Sequence, residues 1–288
     1  LHDALPISSA EVDALVESDN AAVHPMLIAL PGVATVPTGA TKGDLSPFAF
    51  AAPPGPISDI AGIVDGTVRV QDEGSQIAAL LLGEVAPIVI GEEWLDLCAG
   101  PGGKTALLAA LQAPHNGFLV ANEPHDHRAD LVRQAIRPFR DHVRVISKDG
   151  RIVGRDNPGR FDRVLVDAPC SGLGALRRRP ESRWRKSEED LDVLTMLQIE
   201  LLTAAVRATK PGGYIAYVTC SPHQGETTAV IDWGQKKLGE SFQLMDANAV
   251  LAEINPHLHL NRNRKTAQLW PDLNQTDAMF IALIQKAK

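Results

Sequence analysis

Cysteine is scarce in this chain: Cys98, Cys170 and Cys220 are all there is in 288 residues. Three cysteines build no disulfide framework, and their places after strand-like runs read as reduced thiols of a cytosolic protein. No CxxC occurs and the only histidine near the later thiols is His223, so a structural zinc site is not expected. No apolar run reaches the length of a membrane span, and no signal peptide is visible, which predicts a cytoplasmic protein without membrane partners. An excess of positive charge is also missing. The formal net charge of -7 argues against non-specific nucleic-acid binding, although the basic residues are clustered. An initiator Met is absent too. Leu1 to Ile7 resembles a translated sequencing adapter, is expected to be a scar, and implies a natural chain that extends upstream.

What is present is ordered around residues 94–105. Trp94 to Leu97 reads as a buried strand ending in Asp96, Gly100, Gly102 and Gly103 form a turn, and Lys104 to Gln112 reads as a helix. A strand, a glycine turn and a helix N-terminus make a cofactor cradle, because glycine lets backbone N–H groups approach a ligand. Two fingerprints fail here by one residue. A dinucleotide motif from Gly100 needs glycine where Thr105 stands, and a P-loop ending in Gly103-Lys104-Thr105 needs glycine where Cys98 stands.

Before this motif the chain reads loosely. Helix is predicted at Ala10 to Glu17, strand at Met26 to Leu30, and loop at Pro53 to Pro56; residues 8–60 are either a linker or the tail of a preceding domain. Ile77 to Leu82 reads as a helix capped near Asp72 or Ser75. After the motif, strands are predicted at Phe118 to Glu123, Val143 to Ile146, Phe161 to Asp167, Tyr214 to Thr219 and Met279 to Ile284. Helices are predicted at His125 to Phe139, Ser187 to Lys210 with Ser187 and Asp190 as a capping box, and Gly225 to Leu238. This alternation gives an α/β fold, a mainly parallel sheet with helices on both faces. Ligands of such sheets lie beyond the carboxyl ends of the strands. Asp96, Glu123, Asp149, Asp167, Cys170 and Cys220 all fall there.

Glu123 stands about 20 residues past the turn, where a ribose-binding acid belongs. Asp149 either holds an adenine amino group or is an Asp-Gly turn residue. Cys98 reads as a small buried hydrophobe whose main chain meets the ligand. Cys170 and Cys220 each follow a strand amid turn formers, so neighbouring strands would set the two thiols side by side. With Asp167 they fit covalent catalysis on an electron-poor ring. C5 of cytosine is a poor nucleophile until a thiolate adds to C6, an acid near N3 steadies the adduct, and a second thiol aids release. The run Arg177-Arg178-Arg179-Pro180-Glu181-Ser182-Arg183-Trp184-Arg185-Lys186 is either a solvated loop or a set of phosphate contacts with a stacking platform. Arg262, Arg264 and Lys265 form a second basic patch.

These residues carry a resemblance. Val70 to Gln76, Asp96 to Lys104, Asp167 to Gly172, Arg177 to Trp184, Thr219 to Pro222, Leu269 to Pro271 and Thr276 to Phe280 resemble the RsmB/Sun-type ribosomal RNA (cytosine-5)-methyltransferases of the wider NOP2/NSUN group. The resemblance implies a seven-stranded, Rossmann-like class I methyltransferase sheet with its last strand antiparallel, over residues 61–288, after the remnant of an RRM-like domain at 8–60. It implies S-adenosylmethionine as cofactor, small-subunit (16S) ribosomal RNA as partner, no metal, and a monomer. It makes Cys220 the nucleophile and Cys170 the thiol that aids release. Cys98, Ala99, Gly100, Pro101, Gly102, Gly103, Lys104, Glu123, Asp149 and Asp167 would surround the cofactor, with Asp167 also near the base. Lys104, Arg177, Arg178, Arg179, Arg183 and Trp184 would meet RNA. The ribose acid is more often Asp in that family; Glu123 is expected to serve equally. The paired cysteines argue against a protein or small-molecule acceptor, and an intact Cys220 argues against a non-catalytic scaffold.

Overall fold

The computed structural model describes Leu5, residues 8–185 and residues 187–288. The expected scar therefore lies, apart from Leu5, outside the described residues, as does Lys186 of the basic run. In chain order the elements begin with α1 (Ser9–Asn20), β1 (Met26–Ala29), β2 (Ala49–Ala51), β3 (Val68–Val70), α2 (Glu73–Glu84), β4 (Glu93–Asp96) and α3 (Gly103–Gln112). Then come β5 (Phe118–Asn122), α4 (Asp126–Ala135), β6 (Val143–Ile146), α5 (Gly150–Asp156), β7 (Phe161–Asp167), α6 (Glu188–Ala208) and β8 (Thr209–Thr219). The chain ends with α7 (Thr228–Leu238), β9 (Gln243–Leu244), α8 (Ala247–Ile254), β10 (Ala267–Gln268), α9 (Pro271–Asn274) and β11 (Phe280–Gln285).

The main sheet runs β10-β11-β8-β7-β4-β5-β6. Strands β4 to β8 pair in parallel, and β11 lies antiparallel to β8. The seven expected strand positions are present. The edge position is shared by two short pieces: β10 pairs with Phe280 and Ile281, and β9 with Ile284 and Gln285. Alternate residues of each central strand enter opposite cores. Trp94, Leu165, Ile281 and Leu283 join the core under α2, α3 and α8, whereas Leu95, Val164, Val166 and Phe280 join the one under α6 and α7. The chain turns back at β4, with β5 and β6 on one side and β7 and β8 on the other. That crossover puts the ends of β4, β5, β7 and β8 around one crevice.

Local chemistry accounts for most element ends. Asp72 caps α2 by accepting from Gly74 N at 3.0 Å, and Ser187 with Asp190 forms the expected capping box of α6. The helix expected over His125 to Phe139 stops at Ala135 and resumes as one tight turn, Arg137–Phe139. Pro138 is the reason, since it has no N–H for the helical ladder. The fifth strand starts earlier than expected, at Thr209, with an irregular register between Phe161 and Arg163 that absorbs Pro211-Gly212-Gly213.

A second sheet, β2-β1-β3, is antiparallel throughout. Its third strand lies past residue 60, beyond the division expected from the sequence. Glu73 at the start of α2 fastens this region, accepting from the backbone N–H of Leu45 at 2.8 Å and Ser46 at 2.9 Å.

Candidate active site

The glycine turn is held from four sides. Thr105 Oγ1 donates to Asp96 Oδ2 at 2.7 Å. Asn122 Nδ2 donates to Leu97 O at 3.1 Å, Ala99 N to Asn122 O at 2.8 Å, and Arg128 Nη2 to Gly100 O at 2.9 Å. Thr105 is the residue that spoils the dinucleotide fingerprint; its hydroxyl has a different task, tying the first turn of α3 back to β4. Gly102 has φ +103, and a Cβ there would stand 2.5 Å from Ala135 Cβ, so no side chain fits. At Gly100 a Cβ would meet Glu123 Oε2 at 2.2 Å. The turn is thus bare backbone pressed against the residue expected to read a ribose.

Asp96 is 1% exposed, and its Oδ1 has no hydrogen-bond partner among the described residues. Burial pushes its carboxyl up from an ordinary 3.8 to about 7, with the Thr105 hydrogen bond opposing. The folded chain therefore holds a proton between those values that the unfolded chain releases, so folding is favoured as pH falls through about 7. Asp96→Asn keeps an oxygen for Thr105 and removes this titration. Urea unfolding at roughly pH 8 and pH 5.5 is expected to show the wild-type chain gaining stability over the variant on acidification. A difference that does not change with pH would refute the assignment.

Glu123 directly follows β5, which ends one residue earlier than expected, and is 2% exposed. It accepts from His125 N at 3.1 Å and lies 3.0 Å from His125 Nδ1 and 3.5 Å from Arg128 Nη2. Asp149 follows β6 and caps α5, a helix the sequence reading did not contain. Arg151 N donates to Asp149 Oδ1 at 2.9 Å, and the Arg151 guanidinium bridges Asp149 to Glu200. Those hydrogen bonds hold the Asp149 carboxyl below its ordinary range. The Cys98 thiol is partly buried against the core, and burial pushes it far up.

The two other thiols meet. Strands β7 and β8 are parallel neighbours with Asp167 opposite Val218, so the turns that follow them emerge together. Cys170 Sγ lies 3.4 Å from Cys220 Sγ. Lys104 reaches over from α3, with Nζ 2.8 Å from Asp167 Oδ2 and 3.4 Å from Ser75 Oγ on α2. Burial pulls the Lys104 ammonium down, but the Asp167 charge and hydrogen bond outweigh it and the net shift is upward. The pair is not symmetric. The hydrogen bond between the two sulfurs holds the Cys220 thiol below its ordinary range, with Lys104 helping against burial and Asp167. The same contact, burial and the nearby Glu226 push Cys170 far up. These shifts favour the thiolate on Cys220 over one on Cys170.

The basic run divides in a way the sequence reading did not foresee. The Arg177 side chain is 6% exposed, with Nη2 2.7 Å from Asp72 Oδ2, Nε 3.3 Å from Asp277 Oδ1, and Nη1 donating to Gln275 O at 2.9 Å. Arg178 also pairs with Asp277. A buried guanidinium saturated by carboxylates does not meet phosphate, so the expected RNA contact at Arg177 is replaced by a structural one. Arg179 and Trp184 are exposed, Trp184 at 87%, and Arg183 is half-buried near Asp19 of α1. Arg262, Arg264 and Lys265 are exposed in the loop after α8. Asp72, which the sequence suggested only as a cap, also accepts from Thr276 Oγ1 and from Asp277 N, joining three distant segments beside the thiols. Among the described residues no group of three or more His, Cys, Asp or Glu is arranged for a metal ion, and no helix is long and apolar enough to cross a membrane.

Residues 87–285 match the family described as 16S rRNA methyltransferase RsmB/F. Rv1407 of Mycobacterium tuberculosis, whose name proposes a methyltransferase, is 44% identical over 299 residues, which cover 99% of this chain and 61% of that protein. Ribosomal RNA small subunit methyltransferase B of Serratia proteamaculans is 37% identical over 231 residues, covering 80% of this chain and 49% of that protein. The crystal structure of PH0851 superposes with a TM-score of 0.86 at 26% identity, covering 97% of this chain and 63% of that one. The chain therefore spans between about half and three fifths of the length of these relatives.

Proposed function

The chain belongs to the 16S rRNA methyltransferase RsmB/F family, and from that premise we propose that it methylates C5 of a cytosine in RNA, in small-subunit ribosomal RNA, through a covalent bond between Cys220 and C6. The observation that carries the reading is the thiol pair at 3.4 Å beside the Lys104–Asp167 pair, at the carboxyl ends of β7 and β8.

The residues around the cradle fit S-adenosylmethionine. The turn from Cys98 through Ala99, Pro101 and Gly103 offers bare backbone, Glu123 a buried carboxylate for ribose hydroxyls, and Asp149 an acceptor for an adenine amino group. When bound, this cofactor supplies an electrophilic methyl group. The protein prepares the acceptor. The Cys220 thiolate adds to C6, the C5–C6 pair moves into the ring, and C5 becomes nucleophilic. The proton shared between Lys104 and Asp167, 2.8 Å apart, passes through Asp167 to N3 and neutralises the charge that forms there. After C5 is methylated a base takes the C5 proton, the C6–S bond breaks, and the Cys170 thiol eases the departure of Cys220. We read β1 to β3 as what the chain holds of an RRM-like domain. Of the residues of the basic run expected to meet RNA, Arg179, Arg183 and Trp184 are left to do so once Arg177 and Arg178 pair with Asp72 and Asp277.

Cys170→Ala tests the division of labour. With S-adenosylmethionine and a ribosomal RNA fragment, this variant is expected to accumulate a covalent protein–RNA adduct on a denaturing gel. Free methylated RNA at the wild-type rate, with no adduct, would remove Cys170 from the reaction.

A further inference from the structure

Beneath the thiol pair lies a carboxylate that the reaction above does not use. Glu226 follows β8, six residues after Cys220, and is fully buried. It accepts from Ser171 N at 2.7 Å, Ser171 Oγ at 2.5 Å and Gln198 Nε2 at 3.1 Å. No cation pairs with it among the described ion pairs. A buried carboxylate without a counter-ion is costly and is kept only where its hydrogen bonds are complete. Two of the three come from Ser171 in the turn after β7, and the third from Gln198 of α6. Ser171 is the residue after Cys170, and its Oγ lies 3.3 Å from Oγ of Ser221, the residue after Cys220. One carboxylate therefore fastens both Cys-Ser turns at the separation that sets the sulfurs in contact.

We propose that Glu226 is a positioning residue that decides which thiol keeps the proton: it locks the Cys170–Ser171 turn against Ser221 and places a buried negative charge on the Cys170 side of the pair. The charges around the two sulfurs agree. Cys170 has Glu226, Tyr217 and Cys220 within electrostatic reach. Cys220 has Lys104, Asp167, Asp277 and Arg178. Negative charge next to a thiol disfavours its thiolate, and an ammonium favours it. Glu226 and Lys104 thus pull the pair in opposite senses, leaving the nucleophile as the ionised member.

The consequence for catalysis rests on the covalent reading above, but the first readout does not. In a Cys220→Ala chain the alkylation of Cys170 by iodoacetamide is followed against pH by peptide mapping. Adding Glu226→Gln is expected to lower the midpoint by about one pH unit, making alkylation near pH 8 several-fold faster. Glu226→Asp, which keeps the charge, restores the high midpoint. Ser171→Ala removes a donor but leaves the charge less neutralised; it raises the midpoint further and serves if the Gln variant does not fold. A role in packing alone would lower thermal stability in all three and leave the midpoint fixed, and that outcome, or a fall with Ser171→Ala, overturns the proposal. In the otherwise wild-type chain the alkaline limb of methyl transfer moves down with Glu226→Gln by the same amount. If the alkylation midpoint shifts while a folded Cys220→Ala chain still methylates C5, Glu226 stands and the covalent reading falls.

Discussion

Replacing Cys220 with alanine is expected to abolish methyl transfer, a loss on the order of 10⁴-fold or more, comparable to removing the nucleophile of other covalent enzymes. Each tenfold is about 1.4 kcal/mol of barrier, so the loss corresponds to roughly 5 kcal/mol or more. The size follows from the chemistry. Without the bond to C6, C5 has no enamine character, and no other group at the site can donate it. Cys170 is next in reach at 3.4 Å, but burial, Glu226 and its own proton keep it from acting as a thiolate. Stability should change little. The Cys220 carbonyl accepts from Gly174 N at 2.9 Å, and that main-chain bond survives the substitution. The measurement is transfer of labelled methyl groups to ribosomal RNA, with thermal unfolding as control and cofactor binding as a second one. A folded Cys220→Ala chain that binds cofactor and still methylates C5 would refute the nucleophile assignment, and so would one that still forms a covalent adduct. Comparing a small-subunit RNA fragment with a large-subunit one tests the expected substrate separately from the chemistry.

The elements legible in the sequence are those whose signal is local. The parallel strands show as short apolar runs, and their acidic or thiol ends mark the crevice because a strand's C-terminal edge is where such residues do not have to be buried among apolar side chains. The capping box of α6 lies within four residues and is readable for that reason. The small sheet was not readable as such: β2 and β3 have three residues each, too few for a period of two to show. Helix α5 was missed because its seven residues carry two glycines and two arginines rather than an apolar stripe. The thiol pair was legible because two similar turns follow two strands that the alternation makes neighbours. Its electrostatics were not, since Lys104 and Glu226 come from other elements. Arg177 illustrates the same limit. By charge it belongs with Arg179 and Arg183, yet its partners Asp72 and Asp277 stand about a hundred residues away on either side, and only the fold shows that they close around it.

Arg163→Met is expected to cost about 3–5 kcal/mol of stability, the range for breaking a buried charged pair by removing one member, and to lower the melting temperature by on the order of 10 °C. Arg163 sits in the middle of β7 and is 1% exposed, a place where the sequence pattern calls for an aliphatic residue. Its guanidinium ends helix α2. Nη1 donates to Leu82 O at 2.8 Å and Gly83 O at 2.9 Å, and Nη2 to Ala86 O at 2.9 Å and Pro87 O at 3.1 Å. The last carbonyls of a helix have no partners within it, and a cation there also meets the negative end of the helix dipole. Nε lies 2.9 Å from Glu92 Oε2, and the guanidinium carbon stands 4.9 Å over the Trp94 ring. Methionine fills much of the volume but leaves four carbonyls and the Glu92 carboxylate without this donor. Lysine would keep the charge but not the planar fork, and is expected to recover less than half of the loss. Arg163→Met with Glu92→Met removes the stranded carboxylate as well and should regain part of the stability, a coupling that a double-mutant cycle measures. The network also bears on the reaction, because it joins α2, which carries Ser75, to β4, which carries Asp96 and the glycine turn. Well below the melting temperature the single variant should methylate within a few-fold of wild type. If urea unfolding places it within about 1 kcal/mol of wild type, water replaces the guanidinium at the end of α2 and the network is not what holds the cradle to the sheet.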